Sequence, residues 1–146
     1  MIKAISLYEP WATLVAIGEK RYETRSRNTR HRGPLLICAS KRRLSLWHYP
    51  PLAKVTEALH RHGLGLMELN WGKAVAIVDL TVSFPTEDII FGEPLKEQGP
   101  DEFIFGDFRP GRFGYKLEDL RRIKKPFPVT GKRGVFSVDV DWGKQL

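Results

Sequence analysis

Gly18, Lys20, Glu23 and Arg25 stand at the spacing G-x-K-x-x-E-x-R, directly behind a short segment that opens Pro10-Trp11-Ala12. Two cations and a carboxylate packed this closely rarely serve an apolar core. A lysine whose pKa is lowered by burial and by a neighbouring Arg25 becomes a usable base, while Glu23 can orient a water or a substrate amine. The same charges could instead form an ion pair that braces the corner between two elements, and the residue types leave both readings open. If Glu23 holds Arg25, the planar guanidinium is a natural clamp for a phosphate or a pyrimidine carbonyl. In a regular strand Lys20 and Glu23 would face opposite ways, so their convergence requires Lys20 to lie in the turn before the strand.

The surrounding charge is concentrated. Residues 19–43 hold nine Lys and Arg against Glu19 and Glu23, so this segment alone supplies the formal net charge of +7. Such a local field suggests an anionic ligand. Arg27, Arg30 and Arg32 lie among Thr and Asn, which predicts a mobile loop that either contacts phosphates or is simply solvated. Lys41, Arg42 and Arg43 follow the end of a presumed strand at Ser40, where a loop could rim a cleft and extend the phosphate-contacting set. Trp47, His48 and Tyr49 come next, placing aromatic surfaces near cations as single-stranded nucleic acid requires for stacking, although such rings also cover core edges. Tyr8 and Trp11 flank the motif and are better stacking candidates. Further on, Asp107 and Arg112 could face the cleft; Asp107 either supplies a carboxylate opposite Lys20 or ties down the turn from Gly106 to Gly111.

Other chemistries find little support. Cys38 sits in an apolar run, where an inert buried thiol is expected. His60 and His62 are two apart on a predicted helix and point to different sides, so neither a metal site nor a cofactor is expected. Gly63-Leu64-Gly65 lacks the further glycine and the lysine of the phosphate-binding loops.

The elements that must position these residues follow from punctuation and period. Ile2 to Leu7 reads as a first strand. Pro10 suits the first position of a helix, Trp11, Leu14 and Val15 share one face, and Gly18 can take the left-handed conformation that ends it. Lys20 to Arg25 then leaves extended. Leu35 to Ala39 is a buried strand after the Arg32-Gly33-Pro34 turn. Pro51 to His62 reads as a second helix stopped at Gly63, and Ala74 to Val82 as an apolar strand. Phe113 to Leu117 is a strand, Leu117 to Ile123 a helical turn, Pro126 to Gly134 a rigid loop, and Val135 to Trp142 a last alternating strand. Five or six short strands with two early helices predict a compact mixed barrel that closes on itself.

At 146 residues the chain suits one domain spanning 1–146 with a core of its own. Its single cysteine cannot form an internal bridge, and neither a leader-like apolar run nor a stretch near the ~20 residues of a membrane span is visible, which points to a cytoplasmic protein.

Pro10-Trp11-Ala12, Gly18-x-Lys20-x-x-Glu23-x-Arg25, Arg32-Gly33-x-Leu35-x-Ile37-x-Ala39-Ser40 and Phe105-Gly106-Asp107-Phe108-x-Pro110-Gly111-Arg112-Phe113 form an ordered series that resembles the ASCH domain family. The resemblance implies an α+β, mainly β, PUA-like small barrel with flanking short helices and a cleft holding the motif. It also implies binding of RNA or a nucleotide-like molecule. Some members are similar to hydrolases, one branch cleaving N4-acetylcytidine and others described as ribonucleases. In the amidohydrolase branch a threonine nucleophile occupies the position that is Glu23 here, and Thr24 next door would point to the opposite strand face. Cys38 and Glu9 also depart from the residues common in close relatives, His and Gln or Ser.

The sequence thus predicts an RNA- or nucleotide-binding domain whose ligand meets Tyr8, Trp11, Lys20, Glu23, Arg25, Ser40, Lys41, Asp107 and Arg112. Arg27, Arg30, Arg32, Arg42 and Arg43 are expected on the phosphate backbone. The alternative is a small hydrolase of a modified nucleoside or of RNA, with Lys20 and Glu23 catalytic.

Overall fold

The computed structural model describes residues 1–43, 52–91, 101–141 and 144, the side chains of 89–91 excepted. In chain order the elements are β1 (Ile2–Leu7), α1 (Trp11–Ala16), β2 (Tyr22–Arg25), β3 (Gly33–Ala39), α2 (Leu52–His60), a 3-10 turn (Leu66–Glu68), β4 (Lys73–Pro85), α3 (Thr86–Phe91), β5 (Phe113–Pro128) and β6 (Phe136–Val138). The six strands form one mixed sheet in the order β2-β5-β4-β3-β1-β6. The architecture is mainly β with three short helices among the described residues. Closure into a barrel is not seen there, because β2 and β6 are opposite edges of the sheet.

Both faces of the sheet centre are covered, which is why β3 reads as an unbroken apolar run. Ile5, Leu7, Leu35, Ile37, Val78 and Leu80 pack on Ala12, Val15 and Ala16 of α1. The alternate positions Ile2, Ala4, Leu36, Cys38 and Ile77 meet Ile123 and Phe136 on the other side. Leu14 and Ile17 bury the outer face of α1 against Val55, Ala58 and Leu59 of α2 and against Phe105. The cleft therefore rests on a helix wedged between sheet and α2.

Two stretches differ from the reading of the sequence. Leu117 to Ile123 is no helical turn: β5 runs straight through it for 16 residues. Leu117, Leu120 and Ile123 are spaced by three, which mimics a helical face, but the spacing arises from a bulge. Glu118 and Arg121 of β5 oppose Asp79 and Ile77 of β4, so one strand carries an extra residue, and Asp119 takes a positive φ of 50° there. The loop expected from Pro126 begins only after Pro128 for a related reason, since Phe127 and Pro128 still pair with Ala74 and Lys73. The last strand is also shorter than Val135 to Trp142. Helix α3 was not visible in the sequence; its first turn is fixed from outside, by Thr86 Oγ1 donating to the Arg109 carbonyl at 2.8 Å and by Glu87 accepting from Gly111 N at 2.6 Å.

Candidate functional site

Helix α1 begins at Trp11, one residue after the predicted start, and its entry is held by a side chain. The buried Glu9 carboxylate accepts from Thr13 N at 2.8 Å, from Thr13 Oγ1 at 2.5 Å and from Asn70 N at 2.8 Å. Glu9 thereby satisfies a donor of the first turn, the task of a cap, and ties the helix to the loop before β4. At the other end Gly18 has φ +81°, and the amides of Glu19 and Lys20 both fold back onto the Leu14 carbonyl. That reversal aims Lys20 inward from the turn before β2, the placement its convergence with Glu23 requires.

Lys20 is 2% exposed. Its Nζ donates to the carbonyl of Tyr22 and, at 2.7 Å, to that of Phe105, and lies 5.9 Å from the centre of the Trp11 ring. Burial pushes its pKa below the ordinary lysine value, helped by the charge of Arg25 and opposed by Glu23 and Glu102. Two of the three tetrahedral positions on the nitrogen are filled by carbonyls, so one remains for the cleft.

Glu23 projects from β2 with its side chain 12% exposed, accepting from Thr24 N at 3.1 Å and from Arg25 Nε at 3.2 Å. Arg25 also donates through Nη2 to the Ser6 carbonyl at 2.7 Å, which fixes the guanidinium against β1. Thr24 faces the other way, as strand parity dictates: its hydroxyl accepts from Asp107 N at 2.9 Å. Asp107 pairs with Arg109 at 2.6 Å and with Arg112 at 3.5 Å, and the Arg109 hydrogen bonds hold its carboxyl down to about 2. It ties the turn rather than opposing Lys20. The carboxylates that act on Lys20 are Glu23 and Glu102.

Glu102 went unread in the sequence, where a single acid in a loop carries no signal. It is buried, accepting from Arg21 N at 2.9 Å and Tyr22 N at 2.7 Å, and burial raises its pKa against the pull of Lys20. These contacts complete the free side of β2. Tyr22 and Thr24 turn their N–H and C=O groups away from β5, and all four are met by side chains: Glu102 and Lys20 for Tyr22, Glu23 and Arg112 for Thr24.

The motif side chains border a cleft of about 1570 Å³, whose lining does not include Glu9, Tyr22 or Glu102. Tyr8, Trp11, Lys20, Glu23, Arg25, Ser40, Lys41, Asp107 and Arg112 line it, and so does Arg42. Tyr8 is exposed at the mouth; Trp11 lies deeper, tilted against Phe105 with 6.1 Å between ring centres. Lys54, Arg109, Lys132 and Arg133 also line the cleft and were not singled out in the sequence, because three separate segments carry them.

The remaining arginines are elsewhere. Arg27, Arg30, Arg32 and Arg43 do not line the cleft. The loop carrying the first three is fastened by hydrogen bonds at several points. Arg32 donates to the carbonyls of Thr29 at 3.0 Å and His31 at 2.8 Å and to Ser83 Oγ at 3.0 Å, while Tyr115 donates its hydroxyl to the Arg27 carbonyl. Arg43 stacks on Trp71 at 4.1 Å. Trp47, His48 and Tyr49 lie outside the described residues. Cys38 is buried, and burial pushes its thiol up to about 12. Among the described residues no group of three or more His, Cys, Asp or Glu is placed to hold a metal ion, and no helix is long and apolar enough to cross a membrane.

The family model of the ASCH domain matches residues 5–98, a span that contains the motif and most of the sheet. The chain belongs to the ASCH domain family. Human and mouse activating signal cointegrator 1 are each 27% identical to it over 136 residues, covering 92% of this chain and 22% of the relative. The chain thus spans about a fifth of the length of these curated relatives. Among solved structures, the ASCH protein of Zymomonas mobilis superposes with a TM-score of 0.56 at 14% identity, covering 98% of this chain and 91% of that one. A variant of the same protein gives 0.53 at 13% identity, covering 97% and 93%. At such identities the likeness is one of fold, the PUA-like arrangement of the ASCH domain.

Proposed function

We propose that residues 1–146 act as one ASCH unit that binds single-stranded RNA in this cleft, inside the cell. The observation that carries the reading is the charge balance of the lining. Nine cations face two carboxylates, and each carboxylate is already matched by a guanidinium, Glu23 by Arg25 and Asp107 by Arg109. The side chains of Lys41, Arg42, Lys132 and Arg133 are left exposed around the mouth with no hydrogen bond or ion pair among the described residues. Phosphates suit that rim, and the Trp11 and Tyr8 rings with the inner Lys20 and Glu23 suit a base or nucleoside placed at the floor.

The test is the salt dependence of oligoribonucleotide binding by fluorescence anisotropy. Neutralising ~4 phosphates of a single strand gives a slope of log affinity against log salt near −3, at about −0.7 per contact. An affinity indifferent to salt would remove RNA from consideration.

A second reading has its own observation. With two N–H groups committed to carbonyls and its pKa lowered, Lys20 can present a lone pair to the cleft beside Glu23. This suits a small hydrolase of a modified nucleoside. Product formation from acylated pyrimidine nucleosides, followed by mass analysis and lost in Lys20→Met, would favour it over binding alone.

A further inference from the structure

The two groups of unpartnered rim cations come from distant segments, yet they share one anchor. Gly72, just before β4, donates its N–H to the Ala39 carbonyl at 2.9 Å and accepts from Val129 N at 3.0 Å. The first bond ties it to the end of β3, from which Lys41 and Arg42 project. The second ties it to the start of the β5–β6 loop that carries Lys132 and Arg133. The fit is tight on both sides. Gly72 has φ +76°, and a Cβ there would stand 2.7 Å from Lys41 Cγ, so the lysine stem lies directly on the glycine. Further along the loop, a Cβ on Gly131 would meet Ser6 Oγ at 2.8 Å, so the loop backbone rests on β1 at the edge of the cleft. Two glycines thus seat two cationic segments where any side chain would hold them off.

We infer that the 129–134 loop and the Lys41–Arg42 segment are two jaws of one clamp on the sugar–phosphate backbone of single-stranded RNA, seated at a fixed spacing through Gly72. The inference rests on the RNA-binding reading of the cleft and narrows its ligand. A free nucleoside or mononucleotide has too few phosphates to engage both jaws, whereas a chain of several nucleotides crosses from one to the other. Lysine and arginine with exposed charged ends suit phosphate contact without base selection.

The experiment uses the full chain with 5′-fluorescein-labelled oligouridylates of two, four and eight nucleotides and labelled uridine monophosphate, by anisotropy between 50 and 200 mM salt. Affinity should rise from the monophosphate to the tetranucleotide, and the salt slope should steepen with it. Lys132→Gln/Arg133→Gln should make the tetranucleotide slope shallower by about 1.4, two contacts at about 0.7 each. Lys41→Gln/Arg42→Gln should do the same from the other jaw. All four side chains are exposed and make no hydrogen bond or ion pair among the described residues, so melting curves of the variants should match the parent. A steep parental slope that either pair leaves untouched overturns the clamp while the RNA-binding cleft stands. So does a monophosphate that binds as tightly as the tetranucleotide. A parent that binds no oligonucleotide, or binds it without regard to salt, removes the RNA reading itself.

Discussion

Replacing Lys20 by methionine keeps an unbranched stem of similar reach but removes the nitrogen that serves two carbonyls. The Tyr22 and Phe105 carbonyls then lose their buried donor, a loss of about 1–3 kcal/mol each. Relief from burying an amine at a 2% exposed site offsets part of this, leaving a net destabilisation of about 2 kcal/mol near neutral pH. The pH dependence is sharper than the size. A lysine whose pKa is lower in the folded than in the unfolded chain binds fewer protons when folded, so its contribution to stability rises with pH. The rise begins at the lowered folded value and ends near the ordinary 10.5 of the unfolded chain. One group gives at most about 1.4 kcal/mol per pH unit in that window. Urea unfolding of parent and Lys20→Met from pH 7 to 10.5 should therefore show a stability difference that grows with pH. Tyr115, whose pKa burial raises, loses stability above pH 10 in both proteins and cancels in the difference. A difference that stays flat or shrinks would mean that Lys20 is not the desolvated amine described here.

Two shorter expectations concern the frame of the cleft. Glu9→Ala leaves Thr13 N and Asn70 N without their acceptor and should lower unfolding free energy by about 3 kcal/mol, read by chemical denaturation, with Glu9→Gln recovering part of it. Cys38, its thiol pushed up to about 12 by burial, should resist Ellman's reagent in the folded protein and react stoichiometrically once urea unfolds the chain; fast native reaction would contradict its burial.

What the sequence made legible was local. Pro10, Gly18 and the apolar spacing between them marked α1, a weak alternation marked β1, and apolar runs marked β3 and β4, because caps, alternation and runs act within a few residues. The nine positions expected to meet a ligand line one cleft, Lys20, Glu23 and Arg25 because the turn at Gly18 and the parity of β2 direct them there. The rest depended on partners far along the chain. Asp119 breaks the β5 alternation only because β4 supplies the opposing register, and Glu102 matters only because its loop passes the free edge of β2. Arg27, Arg30 and Arg32 looked like a phosphate-binding run, but local charge density does not say which surface a loop is fastened to. Lys132 and Arg133 illustrate the converse, cations in a segment read only as a rigid loop and brought to the cleft by the seating of Gly131 on Ser6.

The side chains that occupy the outer edge of β2 give the site a second duty. An unpaired strand edge is a template for another chain, and here Lys20, Glu23, Glu102 and Arg112 block it by taking each outward-facing amide and carbonyl of Tyr22 and Thr24. In the proposed RNA-binding reading, Lys20, Glu23 and Arg112 would thus serve recognition as well as cover the edge, while Glu102, outside the cleft lining, covers the edge alone. A substitution chosen to change what the cleft accepts also exposes backbone to strand addition, so variants that lose ligand should be checked for self-association before the loss is assigned to recognition.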